Sequence, residues 1–202
     1  MTRDALIRAC ADLIAEEGIA ALSLRKVADR VGIKAPSIYA HFSSREALLA
    51  EAGRHASAAL GEFLRRDCEG DDPRDRLRST AMAYLRFAEV HPSLFALFFM
   101  ELPSVRRSLD DLPAATSPYG FLVDRVSDYL GGQRKEVEIL AFGIWSLVHG
   151  AAVLRQTHLR DFSGPIVEGT QDNLERLLEG WRPASTAMRA AHPGRKSRVP
   201  HE

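Results

Sequence analysis

Between residues 23 and 45 the apolar side chains recur with helical spacing, stop at a glycine and resume after a proline. Leu24, Val27, Ala28 and Val31 stand at i, i+3, i+4 and i+7, one face of an amphipathic helix. Ser23 precedes that stripe as an N-cap whose hydroxyl accepts an otherwise unpaired backbone N–H. Gly32 follows its last residue, where a helix end favours positive φ. Ile33, Lys34 and Ala35 then lead to Pro36, which suits the first turn of a new helix because its missing N–H is not needed there. That second helix, predicted from Pro36 to about Phe42, is barely two turns long. Packing must hold it, since so short a helix is unstable alone. The pattern is a helix-turn-helix presenting a short reading head.

The remaining chain also reads as helix, with no alternating strand signal. Leu6, Cys10, Leu13 and Ile14 form the stripe of an opening helix. Ser43 with Glu46 predicts a capping box for a long fourth helix running toward Leu64. After Gly70-Asp71, Asp72-Pro73 starts another helix through about Val90, interrupted by His91-Pro92. Ser93 to Leu102 continues, carrying Leu94, Phe95, Leu97, Phe98, Phe99 and Met100. Pro103 to Ser117 reads as loop, and Ser117-Pro118 opens a helix toward Leu130, ended by Gly131-Gly132. Ile139 to Leu154 is an uncharged run, short for a membrane span and apolar on all sides, as expected of a helix buried on several sides. A last helix, Pro165 to about Trp181, carries one apolar stripe. The expected fold is all-α, about nine helices: a three-helix helix-turn-helix DNA-binding domain over 1–50, then a helical domain over 51–182. Residues 183–202 carry three prolines and few large apolar groups, and read as a disordered basic tail.

Charge sharpens the picture locally. The 202 residues hold 27 basic and 27 acidic side chains, so bulk charge gives no affinity for polyanions. Within 23–45, however, Arg25, Lys26, Arg30, Lys34 and Arg45 oppose Asp29 alone, the footprint of a phosphate-binding face. The two cysteines, Cys10 and Cys68, make neither a disulfide framework nor a paired metal-ligand spacing. Cys10 lies on the apolar stripe and reads as a buried, inert thiol. The N-terminus lacks a hydrophobic signal region, so a cytoplasmic protein is expected.

Over Thr2 to Gly53 the chain resembles the N-terminal domain of TetR-type transcriptional regulators. The resemblance rests on Glu17-Gly18, Leu22-Ser23-Leu24-Arg25-Lys26-Val27-Ala28, Val31-Gly32-Ile33, Pro36-Ser37-Ile38-Tyr39, His41-Phe42 and Ser44-Arg45-Glu46-Ala47-Leu48-Leu49. It implies that Tyr39 approaches the DNA backbone and a neighbouring base, with Ala35, Pro36, Ser37 and Ala40 also facing the groove. His41 and Arg45 match phosphate-contacting positions, Ser23 can bond a phosphate, and Arg25 can reach a base edge. Because the alanines offer only methyl contacts, specificity is expected to lean on Arg25, Lys34, Ser37 and DNA shape. Ile38 and Phe42 read as core.

The resemblance also bears on the C-terminal half. Trp145 to Ala151, WSLVHGA, is similar to a motif of one subgroup, here the Trp-His-Gly subgroup, of TetR C-terminal domains. A small-molecule effector cavity is implied, with Phe95, Phe98, Phe99, Trp145 and His149 as lining candidates. The last two apolar helices suggest a four-helix homodimer interface through Ile144, Val148, Ala151, Ile166, Thr170, Leu174, Leu177 and Leu178, and a two-fold pair suits a palindromic operator. The expected function is a dimeric repressor released from DNA by its effector, with no cofactor and no metal. Two alternatives stay open: a ligand-independent architectural DNA-binding protein and a helical-bundle enzyme. The seven histidines show no ligand spacing and there is no phosphate loop or serine elbow, so an enzyme is not expected.

Overall fold

The structure, a computed structural model, describes residues 3–98, 117–131 and 134–181. Among these are nine α-helices: α1 (Arg3–Glu17), α2 (Leu24–Arg30), α3 (Ala35–Ile38), α4 (Arg45–Arg66), α5 (Pro73–Val90), α6 (Pro92–Phe98), α7 (Pro118–Leu130), α8 (Arg134–Gln156) and α9 (Ile166–Gly180). The predicted loop 103–116, the tail 183–202 and Phe99 lie outside the described residues, as does the Phe98 side chain.

Three of the side chains predicted to start helices do cap them. Ser23 accepts the Lys26 N–H at 3.2 Å, Asp72 that of Asp75 at 2.9 Å, and Ser117 that of Gly120 at 3.2 Å. The α4 cap is a correction. Ser44, not Ser43, accepts a backbone N–H, from Ala47 at 3.1 Å. The fourth helix therefore begins one residue later than the capping-box pattern implied.

Two apolar cores organise the chain. The first gathers Leu6, Ile7, Cys10, Leu13 and Ile14 of α1 with Val27, Ala28, Ile38, Phe42, Leu48, Leu49, Ala52 and Ala56. Cys10 is fully buried, and that burial pushes its thiol up to about 12, so it is inert as expected. The second core runs from Leu60 through α5, α7, α8 and α9 to Leu178. The long α4 passes through both, so the boundary expected at residue 50 falls inside one continuous helix.

Helix α6 also joins them. It packs on α1, α4 and α5. Leu97 lies in the first core, Phe95 in the second, and Leu94 touches both. Helix α8 is long and apolar enough by composition to cross a membrane, yet Val137, Leu140, Ala141, Ile144, Val148 and Ala152 bury one side of it against α5, α7 and α9.

Candidate nucleic-acid interface and effector cavity

The turn between α2 and α3 has a closed hydrogen-bond pattern. Gly32 N–H donates to the Asp29 carbonyl at 3.1 Å and Ile33 N–H to the Ala28 carbonyl at 3.0 Å, a Schellman ending. Gly32 sits at φ 73°, a conformation costly for any side chain with a Cβ. Ile33 then packs on the first core. Helix α3 is shorter than expected, four residues, followed by a turn through Tyr39 and Ala40. Two buried anchors, Ile38 and Phe42, hold it, each contributing about 1.5–3 kcal/mol by burial. Arg3 adds a cation–π contact over the Phe42 ring at 4.9 Å.

With those anchors turned inward, the other side chains of the segment point out. Tyr39 is 60% exposed, and Arg25, Lys34, Pro36, Ser37, Ala40 and His41 are exposed. Ala35 and Ser23 are half-buried, the latter occupied as a cap.

The electrostatics differ from the count along the sequence. Lys26 Nζ lies 2.6 Å from Glu17, and Arg30 reaches both carboxylate oxygens of Glu16 at 2.7 and 2.5 Å. The bond from Arg30 holds the Glu16 carboxyl below its usual range. Two of the five cations thus tie α2 to α1. Arg45 is a second correction: its guanidinium donates inward, to the Leu22 carbonyl at 3.0 Å and the Ile19 carbonyl at 2.7 Å. It clamps the turn before α2 through Nε and Nη2. Arg25, 3.9 Å from Asp29 and highly exposed, and Lys34 remain the outward cations of the segment.

In the second core an apolar cavity lies between α4, α5, α7 and α8, with Leu64, Ala81, Leu122, Ile144 and Val148 in its wall. Its present room is about 20 Å³, that of a single water. Trp145 is part of the wall and stacks at a tilt on Tyr119, with ring centroids 4.5 Å apart. His149 is not in the wall. It stands behind it, its Nδ1 3.1 Å from the Tyr84 hydroxyl, and its ring 5.9 Å from that of Phe95. Tyr84 joins the two: it lines the cavity and meets Phe95 edge-on at 5.8 Å. Its ordinary core spacing on α5 gave no signal that would have placed it among the lining candidates. Burial pushes the Tyr84 hydroxyl well above its usual value, partly opposed by a hydrogen bond with Trp145. Burial likewise lowers the His149 pKa.

The expected dimer stripe needs correcting too. Ile144, Val148, Thr170, Leu174 and Leu178 are buried within one chain, so they offer no surface to a twin; Ala151, Ile166 and Leu177 are half-buried. The exposed apolar side chains here are instead Ile139, Phe142 and Leu154 of α8 and Val167 of α9, Phe142 being 66% exposed.

Among the described residues, no cluster of three or more His, Cys, Asp or Glu side chains could hold a metal ion. Residues 6–52 match the family model of bacterial regulatory proteins, tetR family, and residues 77–180 that of the tetracyclin repressor-like C-terminal domain. The chain is 30% identical over 86 residues to the tetracycline repressor protein class C of Escherichia coli, covering 43% of this chain and 39% of that protein. It is 31% identical over 98 residues to the HTH-type transcriptional activator FasR of Mycolicibacterium smegmatis, 48% of this chain and 45% of the relative. The matches thus span less than half the length of these curated relatives. The fold is shared with a TetR variant from Acinetobacter baumannii AYE, whose crystal structure is a complex with minocycline; the TM-score is 0.61 at 19% identity, over 89% of this chain and 96% of that one. The chain belongs to the tetR family of bacterial regulatory proteins, DNA-binding transcriptional regulators that are not enzymes.

Proposed function

We propose that this regulator is a cytoplasmic, dimeric repressor that leaves a palindromic operator when a small molecule occupies the cavity beside Trp145. The observation that carries this reading is the position of α6. Phe95 contacts both Tyr84, which lines the cavity, and His149 behind it, and two residues on, Leu97 is buried in the DNA-binding head. Widening the cavity displaces Tyr84 and Trp145, and through Phe95 biases the seating of α6 on α1. Ligand then changes DNA affinity to the extent that it binds the two arrangements unequally.

DNA contact is assigned to Ser23, Arg25, Lys34, Ala35, Pro36, Ser37, Tyr39, Ala40 and His41. The head enters a major groove with the short α3 and its following turn. One such head reads few bases, so two copies related by a two-fold axis are required for a long site. Exposed Ile139 and Phe142, one helical turn apart on α8, support a twin packing there. Trp145 and His149, one turn apart on α8, with Trp145 sharing the cavity wall with Tyr84 and His149 paired to the Tyr84 hydroxyl, support placing the body in the Trp-His-Gly subgroup.

Selection of bound duplexes from a genomic library, followed by a reporter driven by the selected site, tests this reading. Expression should rise when the regulator is deleted, and Tyr39→Ala should abolish the selection while leaving thermal stability within about 0.5 kcal/mol. Falling expression on deletion would make it an activator, and normal binding by Tyr39→Ala would refute the placement of the reading helix.

A further inference from the structure

We infer that the cavity between α4, α5, α7 and α8 selects uncharged molecules, largely hydrocarbon or aromatic, that carry a single small hydrogen-bonding group. This rests on reading that cavity as the effector site. None of the ten side chains in its wall bears a charge. The polar groups are few: the Thr80, Tyr84 and Tyr119 hydroxyls and the Trp145 indole N–H. The Thr80 hydroxyl donates to the Arg76 carbonyl at 2.8 Å, and the Tyr84 hydroxyl pairs with His149 at 3.1 Å. A ligand hydroxyl, ether or carbonyl exchanges hydrogen bonds with such groups. A carboxylate, phosphate or ammonium would lose its hydration and gain no counter-ion, the costliest form of burial.

The cavity in its present form holds no more than a water, so occupation must part its walls. Trp145 on Tyr119 is the aromatic contact in that wall, so binding alters the surroundings of the Trp145 indole. The chain has two tryptophans, and Trp181→Phe leaves Trp145 as the sole reporter.

The test uses the full chain carrying Trp181→Phe, titrated at neutral pH with para-butylphenol, butylbenzene, para-butylbenzoate and para-butylbenzylamine. Trp145 emission and melting temperature are both followed. The phenol and butylbenzene should give saturable shifts, with the benzoate and the amine weaker by about tenfold or more. Tyr84→Phe should weaken the phenol toward butylbenzene and leave butylbenzene itself unchanged. Ala81→Phe should fill the cavity and abolish both; because that variant could misfold, Leu122→Ala, which enlarges the cavity, should tighten both. Equal binding of either ion would overturn the inference. So would no saturable shift with any probe, or affinities indifferent to Leu122→Ala. The effector reading is judged separately, by operator-duplex anisotropy with saturating phenol. Unchanged DNA affinity alongside the expected selectivity would end effector control while upholding the ligand class.

Discussion

The Arg45 guanidinium donates to the Ile19 carbonyl at 2.7 Å, joining the first turn of α4 to the turn that precedes α2. With its second bond, to the Leu22 carbonyl, it braces the single 3-10 turn Ile19–Ala21, whose Ile19 carbonyl also accepts the Leu22 N–H at 3.2 Å. This side chain sits where a phosphate contact was expected, and its work is internal. Arg45→Ala should therefore lower stability by about 2 kcal/mol, the value of a charged hydrogen bond lost from a partly buried site. Arg45→Lys should recover only part, since an ammonium cannot reproduce the two-pronged geometry. Urea unfolding measures both; an Arg45→Ala protein with wild-type stability but no DNA binding would restore the phosphate role.

The pairing of Lys26 with Glu17 and of Arg30 with Glu16 has a consequence for salt dependence. A cation already neutralised by a neighbouring carboxylate releases fewer counterions from DNA. Lys34→Ala should reduce the slope of log affinity against log salt by about 1, and Lys26→Ala by clearly less. Anisotropy titrations over a salt series give the two slopes. Equal changes would mean that the ion pairs open on the duplex.

On the body, exposure separates the surface offered to a twin from the interior. Phe142→Glu, at an exposed position of α8, should yield folded monomers that lose only the concentration-dependent stability the twin contributes. Leu178→Ala, fully buried, should instead cost about 2–5 kcal/mol in unfolding free energy. Sedimentation velocity with thermal melts distinguishes them. A Phe142→Glu protein that sediments as a dimer would remove this face from the interface.

His149 predicts a pH response. Burial lowers its pKa in the folded protein, so the unfolded chain binds the extra proton first. Stability should therefore fall as pH drops through the unfolded value, about 6.5, toward the lower folded value. The carboxylates held low by arginines, Glu16, Glu51, Asp67 and Glu175, lose their contribution only at more acidic pH. His149→Gln should flatten the first decline and leave the second. Denaturant midpoints measured across this range show whether the two separate.

Ser23, Gly32 and Pro36 made the helix-turn-helix legible because caps and positive-φ turns are decided within a few residues. The same short range explains why the starts of α5 and α7 were readable from Asp72-Pro73 and Ser117-Pro118. It also explains the one-residue slip at α4: the Ser43–Glu46 spacing fits a capping box, and only the backbone shows that Ser44 stands next to the first helical turn.

Sequence alone therefore determined the all-helical fold, the order of its elements and the family resemblance of the DNA-binding head, all consequences of local periodicity and capping. Tertiary structure decided what each apolar or charged face meets. The stripe Thr170, Leu174 and Leu178 has the same period whether it is covered by its own α8 or by a twin, and only packing shows it is the former. Lys26, Arg30 and Arg45 count equally as charge along the chain, and only the fold commits them to partners 9, 14 and 26 residues away. Tyr84 and His149 lie 65 positions apart, so the polar pair at the cavity wall exists only once α5 and α8 pack together.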